Sequence, residues 1–124
     1  MTTYFITGGL GFLGQYIVKA IYDHDPKAQL RVLVRTQRPL FLPLDSFAGL
    51  RFVHGDLSRP ESFEAELQGV DTVIHNAALV SFKKVDAQAI YESNVVGTRN
   101  LIAASLDQSV RNFIFISSIS AIIR

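Results

Sequence analysis

The sequence predicts an α/β protein built on a doubly wound, open parallel sheet. Short apolar runs alternate along the 124 residues with helical patterns or packed loops, which is typical of βαβ units. Runs that are apolar on both faces indicate parallel strands, because helices cover such sheets on both sides. The five predicted strands are Tyr4–Ile6, Leu30–Val34, Arg51–His54, Thr72–His75 and Phe113–Ile116. With right-handed crossovers we expect strand order 3-2-1-4-5 in a single domain covering residues 1–124.

The first predicted strand runs into a glycine-rich turn that opens a helix. Gly8, Gly11 and Gly14 have the spacing G-x-x-G-x-x-G. One glycine lets the chain reverse, another lets the helix start approach a pyrophosphate, and the last lets helix and strand pack closely. The side of the helix expected to face the core consists of Phe12, Leu13, Tyr16, Ile17, Ala20 and Ile21. Strand, turn and helix together predict a dinucleotide-binding site, with a flexible glycine-rich loop as the alternative.

The later connections carry weaker signals. The stretch from Thr36 to Leu50 holds two prolines among apolar residues, which predicts a packed loop with a short helical turn. Ser58, followed by proline and several acids, predicts a capped helix that Gly69 ends. A long helix is expected from about Asp86 to Ser105.

Polar or small residues stand where each predicted strand ends. They are Thr7–Gly8, Arg35, His54–Asp56, Asn76–Ala78 and Ser117–Ser118. Because the carboxyl ends of parallel strands meet at one edge of the sheet, we expect these residues to lie close together. The pattern predicts a ligand crevice there, between the ends of strands one and four.

Arg35 bears on the choice of dinucleotide. It lies 21 residues beyond Gly14, where a site that prefers NAD usually places an acid to accept from the ribose 2′-hydroxyl. A guanidinium could instead bind the 2′-phosphate of NADP through two hydrogen bonds, and Arg38 is close by in the sequence. We therefore predict a preference for NADP over NAD, the alternative being two solvated loop arginines.

Four further residues suit the rest of a dinucleotide. Asp56 could accept a hydrogen bond from the adenine amino group, with Leu57 against the ring. The alternative for Asp56 is a turn residue that caps the next helix. Ala77 and Ala78 are small enough for the backbone to run beside the ribose and pyrophosphate.

Two histidines and two serines could also act in chemistry. His54 and His75 end apolar strands, and we expect each to be a partly buried structural histidine. Ser117 and Ser118 could hydrogen-bond a substrate carbonyl or alcohol, or could merely satisfy the end of the fifth strand. A serine lacks a useful pKa for proton transfer, so catalysis would need a partner acid or base.

Composition excludes several classes of function. Twelve basic and eleven acidic residues give a net charge of +1 without basic clusters, which argues against nucleic-acid binding. With no cysteine and no cluster of acids, disulfides are excluded and no metal site is predicted. No apolar run approaches a membrane span and no secretion signal is present, so we expect a soluble cytoplasmic protein.

Five motifs in order make the chain resemble the extended short-chain dehydrogenase/reductases. They are Thr7–Gly14 (TGGLGFLG), Gly55–Leu57, His75–Ala78, Asn94–Asn100 and Phe115–Ser118. The most similar branch holds dihydroflavonol reductases, 3β-hydroxysteroid dehydrogenases and nucleotide-sugar epimerases and dehydratases. The resemblance spans nearly the whole chain and implies a Rossmann-type NAD(P)-binding domain.

The resemblance also implies roles for particular residues. The pyrophosphate would be held by Gly8, Gly11, Phe12 and Leu13. Adenine and ribose would be contacted by Asp56, Leu57, Ala77 and Ala78. Ser118 matches the catalytic serine of the family, which binds the reacting oxygen.

One departure from the family concerns its acid/base residues. The family uses a Tyr with a Lys four positions on, and this chain contains no Tyr-x-x-x-Lys. We therefore expect the chain to be the cofactor-binding front part of a longer enzyme, inactive alone, with the substrate-binding region elsewhere.

Three functions remain open at this stage. The leading hypothesis is an oxidoreductase that moves hydride between a nicotinamide and a small carbonyl or secondary alcohol substrate. The alternatives are a nucleotide-sugar epimerase or dehydratase and a non-catalytic dinucleotide-sensing module. A homo-oligomer is expected, through the edge strand Phe113–Ile116 or through the stretch Ile119–Ile123. The resemblance implies pairing through the helices that flank strands four and five as a further alternative.

Overall fold

A computed structural model describes residues 1–36, 38–76, 88 and 92–116, and its centre is a parallel sheet of five strands. The strands are β1 (Thr3–Ile6), β2 (Gln29–Val34), β3 (Leu50–His54), β4 (Thr72–His75) and β5 (Asn112–Phe115). Their order in the sheet is β3-β2-β1-β4-β5, and every neighbouring pair is parallel. The predicted fold class and strand order are confirmed.

Two α-helices accompany the sheet in the described part of the chain. The first, α1 (Phe12–His24), starts immediately after the glycine turn. The second, α2 (Gly97–Asp107), follows a π-helical turn at Glu92–Val96 and corresponds to the later part of the predicted long helix. A 3₁₀ turn at Leu44–Ser46 confirms the short helical turn expected in the loop after β2. Among the described residues no helix is long and apolar enough to cross a bilayer, and the compartment stays a prediction.

The helix predicted to start after Ser58 is wrong. Two 3₁₀ turns, Pro60–Ser62 and Glu64–Leu67, stand in its place. The Ser58 hydroxyl donates to Asp56 Oδ1 (2.9 Å) instead of capping a helix, and the Ser62 hydroxyl donates to the carbonyl of Arg59 (2.7 Å). Such local bonds between side chains and backbone compete with the regular helical pattern.

The core side of α1 also differs from the prediction. Its buried residues are Gly14, Gln15 and Val18, whereas Phe12 is 76% exposed. Of the predicted side, Ile17 and Ile21 are partly buried and pack against the core. Because Gly14 has no side chain, the start of the helix packs directly on the turn at Gly8. This close approach fixes the rotation of the helix about its axis and turns the polar Gln15 inward.

The hydrophobic core consists of two clusters that contain alternating residues of the same strands. Phe5 belongs to one cluster and its neighbour Ile6 to the other, as the period of two in a strand requires. The Ile6 cluster includes Val18 of α1, and the Phe5 cluster includes Leu101 of α2. The two helices therefore contribute to different clusters, as in a doubly wound sheet.

Candidate dinucleotide-binding site

A cleft of about 330 Å³ lies where β1, β2 and β3 end at the carboxyl edge of the sheet. Its walls come from the glycine turn, the start of α1 and the loops after β2, β3 and β4. The lining residues are Gly8, Leu10, Gly11, Phe12, Leu13, Gly14, Leu33, Val34, Arg35, Thr36, Arg38, Gly55, Asp56, Leu57, Ser58 and Asn76. Seven of the predicted site residues thus line one cleft: Gly8, Gly11, Phe12, Leu13, Arg35, Asp56 and Leu57.

The glycine turn forms the floor of the cleft. Gly8 has φ +68°, a left-handed conformation that glycine adopts without strain, and its carbonyl accepts the N–H of Gly11 at 3.2 Å. A Cβ atom on Gly14 would stand 2.7 Å from the carbonyl carbon of Gly8 and 2.8 Å from Cα of Gly9. The turn and the helix start therefore leave room only for glycine at this contact.

The amino-terminal end of α1 offers backbone donors to this cleft. The first turn of an α-helix has N–H groups without intrahelical acceptors, here those of Phe12, Leu13 and Gly14. Among the described residues no side chain caps this end, and the first turn holds no acid. The free donors and the positive end of the helix dipole make this end of the cleft suited to an anion.

Two arginines from the loop after β2 stand at another wall. Arg35 follows directly on Val34, the last residue of the strand, and both Arg35 and Arg38 are exposed residues of the cleft lining. The positive charge of Arg35 is close enough to lower the pKa of Asp56. The cleft thus combines cationic side chains with the backbone donors of α1.

Asp56 is held in place by its own turn. Burial raises its pKa, but the N–H and hydroxyl of Ser58, both donating to Oδ1 at 2.9 Å, together with Arg35 and Arg59, lower it below the ordinary value overall. The Asp56 N–H in turn donates to the Ser62 hydroxyl at 2.8 Å. Asp56 is therefore an ionised turn residue that also lines the cleft. It caps no helix, because 3₁₀ turns follow it, and its contact with adenine stays a prediction.

His75 ties three elements together beneath the site. Its Nδ1 is 2.7 Å from the hydroxyl of Thr7, at the end of β1, and its Nε2 is 2.8 Å from the hydroxyl of Thr98 in α2. The ring is only 3% exposed, and burial lowers its pKa to about 4. A neutral ring satisfies both bonds with one N–H and one lone pair, which confirms the prediction of a structural histidine. The same prediction for His54 is wrong, because this residue is exposed at the end of the edge strand β3.

Two other polar residues of the site were not predicted from the sequence. Gln15 is fully buried in α1 and makes four hydrogen bonds to the backbone of Leu10 and of residues 39–42. Asn100 of α2 donates to the carbonyl of Leu57 at 2.8 Å and so supports a wall of the cleft from behind. The only available signal was their place in apolar helical patterns, where a polar residue is unusual.

Four predicted site residues lie outside the described part of the structure. They are Ala77 and Ala78, predicted near the ribose, and Ser117 and Ser118, predicted at the substrate. Asn76, which precedes the alanines, lines the cleft, and its N–H donates to the Thr7 hydroxyl at 2.8 Å.

The strand order, the glycine turn and the cleft at the carboxyl edge define a Rossmann-type domain. The sequence model of the 3-beta hydroxysteroid dehydrogenase/isomerase family matches residues 5–124, and the chain belongs to that family. This confirms the resemblance to the extended short-chain dehydrogenase/reductases, a group of NAD(P)-dependent oxidoreductases and dehydratases.

Individual relatives agree with this assignment. A 3 beta-hydroxysteroid dehydrogenase/Delta 5-->4-isomerase of monkeypox virus is 35% identical in an alignment of 124 positions that covers 98% of this chain and 35% of the relative. A putative dihydroflavonol 4-reductase of Synechocystis is 35% identical in an alignment of 123 positions that covers 96% of this chain and 33% of the relative. The chain thus spans about a third of the length of the curated relatives it matches.

A solved structure shows the same architecture with a dinucleotide present. It is DesIV, a dTDP-glucose 4,6-dehydratase from Streptomyces venezuelae with NAD and TYD bound. Its identity to this chain is 30% and the TM-score is 0.79, over 90% of this chain and 38% of that one.

Proposed function

We propose that this chain is the NAD(P)-binding part of an oxidoreductase that moves hydride between the nicotinamide and a carbonyl or secondary alcohol. The observation that carries the proposal is a cleft in which a glycine turn, two arginines and the start of a helix meet, and no side chain of the described residues caps that helix. Family membership supports the same chemistry.

In this proposal the cleft holds the pyrophosphate and the adenosine part of the dinucleotide. The pyrophosphate lies against Gly8 and Gly11 and accepts from the N–H groups of Phe12 and Leu13, where the helix dipole is positive. No side chain fills the position of Gly11, whose hypothetical Cβ has its nearest neighbour at 3.5 Å, so a phosphate can approach the backbone.

The adenosine part lies between the loops after β2 and β3. Asp56 accepts from the adenine amino group while Leu57 contacts the ring, and Ser58 and Asn100 hold these two residues in position. Arg35 binds the 2′-phosphate of NADP, so NADP is preferred over NAD.

Replacing Arg35 by aspartate is expected to weaken NADP binding by about tenfold or more and to leave NAD binding within about twofold. Loss of a charge-assisted bond to a phosphate is worth at least about 1.4 kcal/mol, which is tenfold in a dissociation constant. The measurement is a titration of the purified protein with each cofactor, followed by calorimetry at one fixed salt concentration.

Arg111→Asp is the matched control for this variant. It makes the same change of charge in the exposed segment that precedes β5, at the opposite edge of the sheet from the cleft. It should alter both affinities equally and slightly. An unmodified protein that binds NAD more tightly than NADP, or an Arg35→Asp variant that loses both cofactors to the same degree, would remove the proposed role of Arg35.

Catalysis by the whole protein is part of the same proposal. When bound, a nicotinamide cofactor would supply or accept the hydride, and Ser118 would hydrogen-bond the reacting oxygen of the substrate. The proton transfer needs a tyrosine and lysine that this chain does not contain as Tyr-x-x-x-Lys, so the 124-residue chain alone is inactive. Names of the relatives make hydroxysteroids and dihydroflavonols the first substrates to assay with the full-length protein, by the absorbance of the reduced cofactor.

Two other functions are distinguished by that assay. The dTDP-glucose 4,6-dehydratase among the structural relatives favours nucleotide-sugar dehydration or epimerisation as the second candidate. That chemistry would give product from a nucleotide sugar without net oxidation of added cofactor. Cofactor binding without turnover of any of these substrates by the full-length protein would favour a dinucleotide-sensing module.

We also propose that two copies of the protein pair through the exposed side of α2. Ile102 and Leu106 are 43% and 75% exposed and lie one turn apart on this helix. The double variant Ile102→Glu/Leu106→Glu is expected to sediment as a monomer where the unmodified protein sediments as a dimer. Lys27→Glu, an exposed change remote from α2, should leave the dimer intact. A monomeric unmodified protein at high concentration would contradict the pairing.

A further inference from the structure

The side chain of Gln15 has no role in the proposed function as described so far. It is fully buried, yet it carries an amide whose donors and acceptor are all directed at backbone groups. Nε2 donates to the carbonyl of Leu10 at 3.0 Å and to that of Pro39 at 3.1 Å. Oε1 accepts the N–H groups of Phe41 at 3.1 Å and Leu42 at 3.3 Å.

These bonds connect two walls of the cleft. Leu10 belongs to the glycine turn, and residues 39–42 directly follow Arg38, which lines the opposite wall. Three of the four bonds go to residues 39–42, so one helical side chain holds the backbone of this loop by three hydrogen bonds. The Phe41 ring also stacks on Phe12 at 5.7 Å, which ties the same loop to the first residue of α1.

The bonds between Gln15 and residues 39–42 affect the position of Arg38 more than that of Arg35. Arg35 comes directly after the last residue of β2, so the ladder between β2 and its neighbours sets its position. Arg38 lies three residues further on, and its own place is set by the loop that Gln15 holds through the Pro39 carbonyl. An apolar side chain at position 15 would leave two backbone N–H groups and two carbonyls of this contact without partners, which favours a shift of the loop.

We propose that Gln15 is a positioning residue for cofactor selectivity, which holds Arg38 at the cleft wall so that its guanidinium completes, with Arg35, the site for the 2′-phosphate of NADP. The inference rests on the proposed function. Gln15 contacts the loop backbone and acts on the cofactor only through Arg38.

The central test is a double-mutant cycle between Gln15 and Arg38, read by binding rather than by turnover. Gln15→Met keeps the size of the side chain and removes all four hydrogen bonds. It is expected to raise the dissociation constant of NADP about fivefold to tenfold and that of NAD less than twofold. In an Arg38→Ala background the same change is expected to have no further effect on NADP, because the group it positions is gone.

A purely structural role for Gln15 would give a different result. Val70→Ala is the control, since Val70 is buried in the Phe5 cluster two residues before β4 and is not among the lining residues of the cleft. It should lower the melting temperature without changing the ratio of the two dissociation constants. If Gln15→Met behaves in the same way, or if its effect on NADP persists in the Arg38→Ala background, the inference is overturned.

Amide hydrogen exchange separates failure of this inference from failure of the proposed function. In Gln15→Met the amides of Phe41 and Leu42 should exchange faster than in the unmodified protein, whichever cofactor is preferred. If the unmodified protein prefers NAD, the proposed NADP site is lost and with it the role in selectivity. If instead Arg35→Asp abolishes a preference for NADP that Gln15→Met leaves unchanged, the function stands and the inference on Gln15 fails.

A variant that does not fold would not leave the question open. Gln15→Asn keeps an amide in the helix but shortens its reach, and it should show the same selective loss of NADP binding. Should this variant also fail to fold, the unmodified protein provides the answer. NADP must then slow the exchange of the Phe41 and Leu42 amides more than NAD does, and equal slowing by the two cofactors would overturn the inference.

Discussion

The Gly14→Ala variant is expected to lose about 3 kcal/mol of its free energy of unfolding, the upper end of what overpacking usually costs. A Cβ atom at this position would meet the carbonyl of Gly8 and stand within 2.8 Å of Cα of Gly9. These are backbone atoms of the glycine turn, so no side-chain rotation can relieve the contact. The helix start would have to move away from β1, which is the central strand of the sheet. Urea denaturation followed by circular dichroism measures the loss.

Gly11→Ala separates the stability of the turn from its use. The nearest atom to a Cβ there is the Gly8 carbonyl oxygen at 3.5 Å, and the φ of −74° suits alanine. We expect a change in stability of less than about 1 kcal/mol, since alanine at a compatible backbone position is tolerated. The added methyl group would nevertheless stand at the floor of the cleft, and binding of both cofactors should weaken by about tenfold, equivalent to about 1.4 kcal/mol.

Each of the two glycine variants has an outcome that would contradict a different part of the argument. A Gly14→Ala protein as stable as the original would mean that helix and turn are not in close contact. A Gly11→Ala protein with unchanged affinity would remove Gly11 from the proposed pyrophosphate site. Both variants therefore need both measurements, unfolding and cofactor titration.

The sheet could be predicted because each of its strands is recognisable from a short stretch of the sequence. Each strand is a short apolar run, and Phe5 and Ile6 show how alternate residues supply the two clusters of the core. Handedness of the crossovers then leaves few possible strand orders. Once the strands are placed, the residues that follow them lie at the carboxyl edge of the sheet. Arg35 and Asp56 were therefore predicted at the cleft that they line.

Two wrong predictions, the buried side of α1 and the helix after Ser58, depend on contacts that hydrophobic periodicity does not reveal. The buried side of α1 depends on how closely Gly14 approaches Gly8, and periodicity alone favoured the side that holds Phe12. The helix expected after Ser58 is replaced by 3₁₀ turns, because the side chains of Ser58 and Ser62 bond to groups of the preceding turn. In α1 a backbone contact outweighs hydrophobic periodicity, and after Ser58 side-chain bonds outweigh helix propensity.

Stability is expected to fall between pH 7 and pH 5 because of His75. Burial lowers the pKa of this histidine from 6.5 to about 4, so the unfolded chain takes up a proton at a pH where the folded protein does not. The unfolded state then binds more protons, and the free energy of unfolding decreases as the pH falls below 6.5. At about 1.36 kcal/mol for each pKa unit, the loss from pH 7 to pH 5 amounts to about 2 kcal/mol.

Between pH 7 and pH 5 the contribution of His75 to the change in stability is separated from the contributions of the acids. Asp56 and Glu66 have a lowered pKa in the folded protein, so the stability that they contribute is lost only as the pH falls from their ordinary values of 3.8 and 4.5. Above pH 5 both acids remain ionised in the folded protein, and the slope in this range therefore reports mainly on buried histidine.

Replacing His75 by asparagine tests the assignment of the slope. The shorter amide loses at least one of the bonds to Thr7 and Thr98, so the variant should be less stable at pH 7, but its stability should change little down to pH 5. His54→Asn removes an exposed histidine and should retain the slope of the unmodified protein. Urea denaturation at half-unit steps of pH compares the three proteins. A slope that survives in His75→Asn would mean that another group takes up the proton, and the lowered pKa assigned to His75 would be wrong.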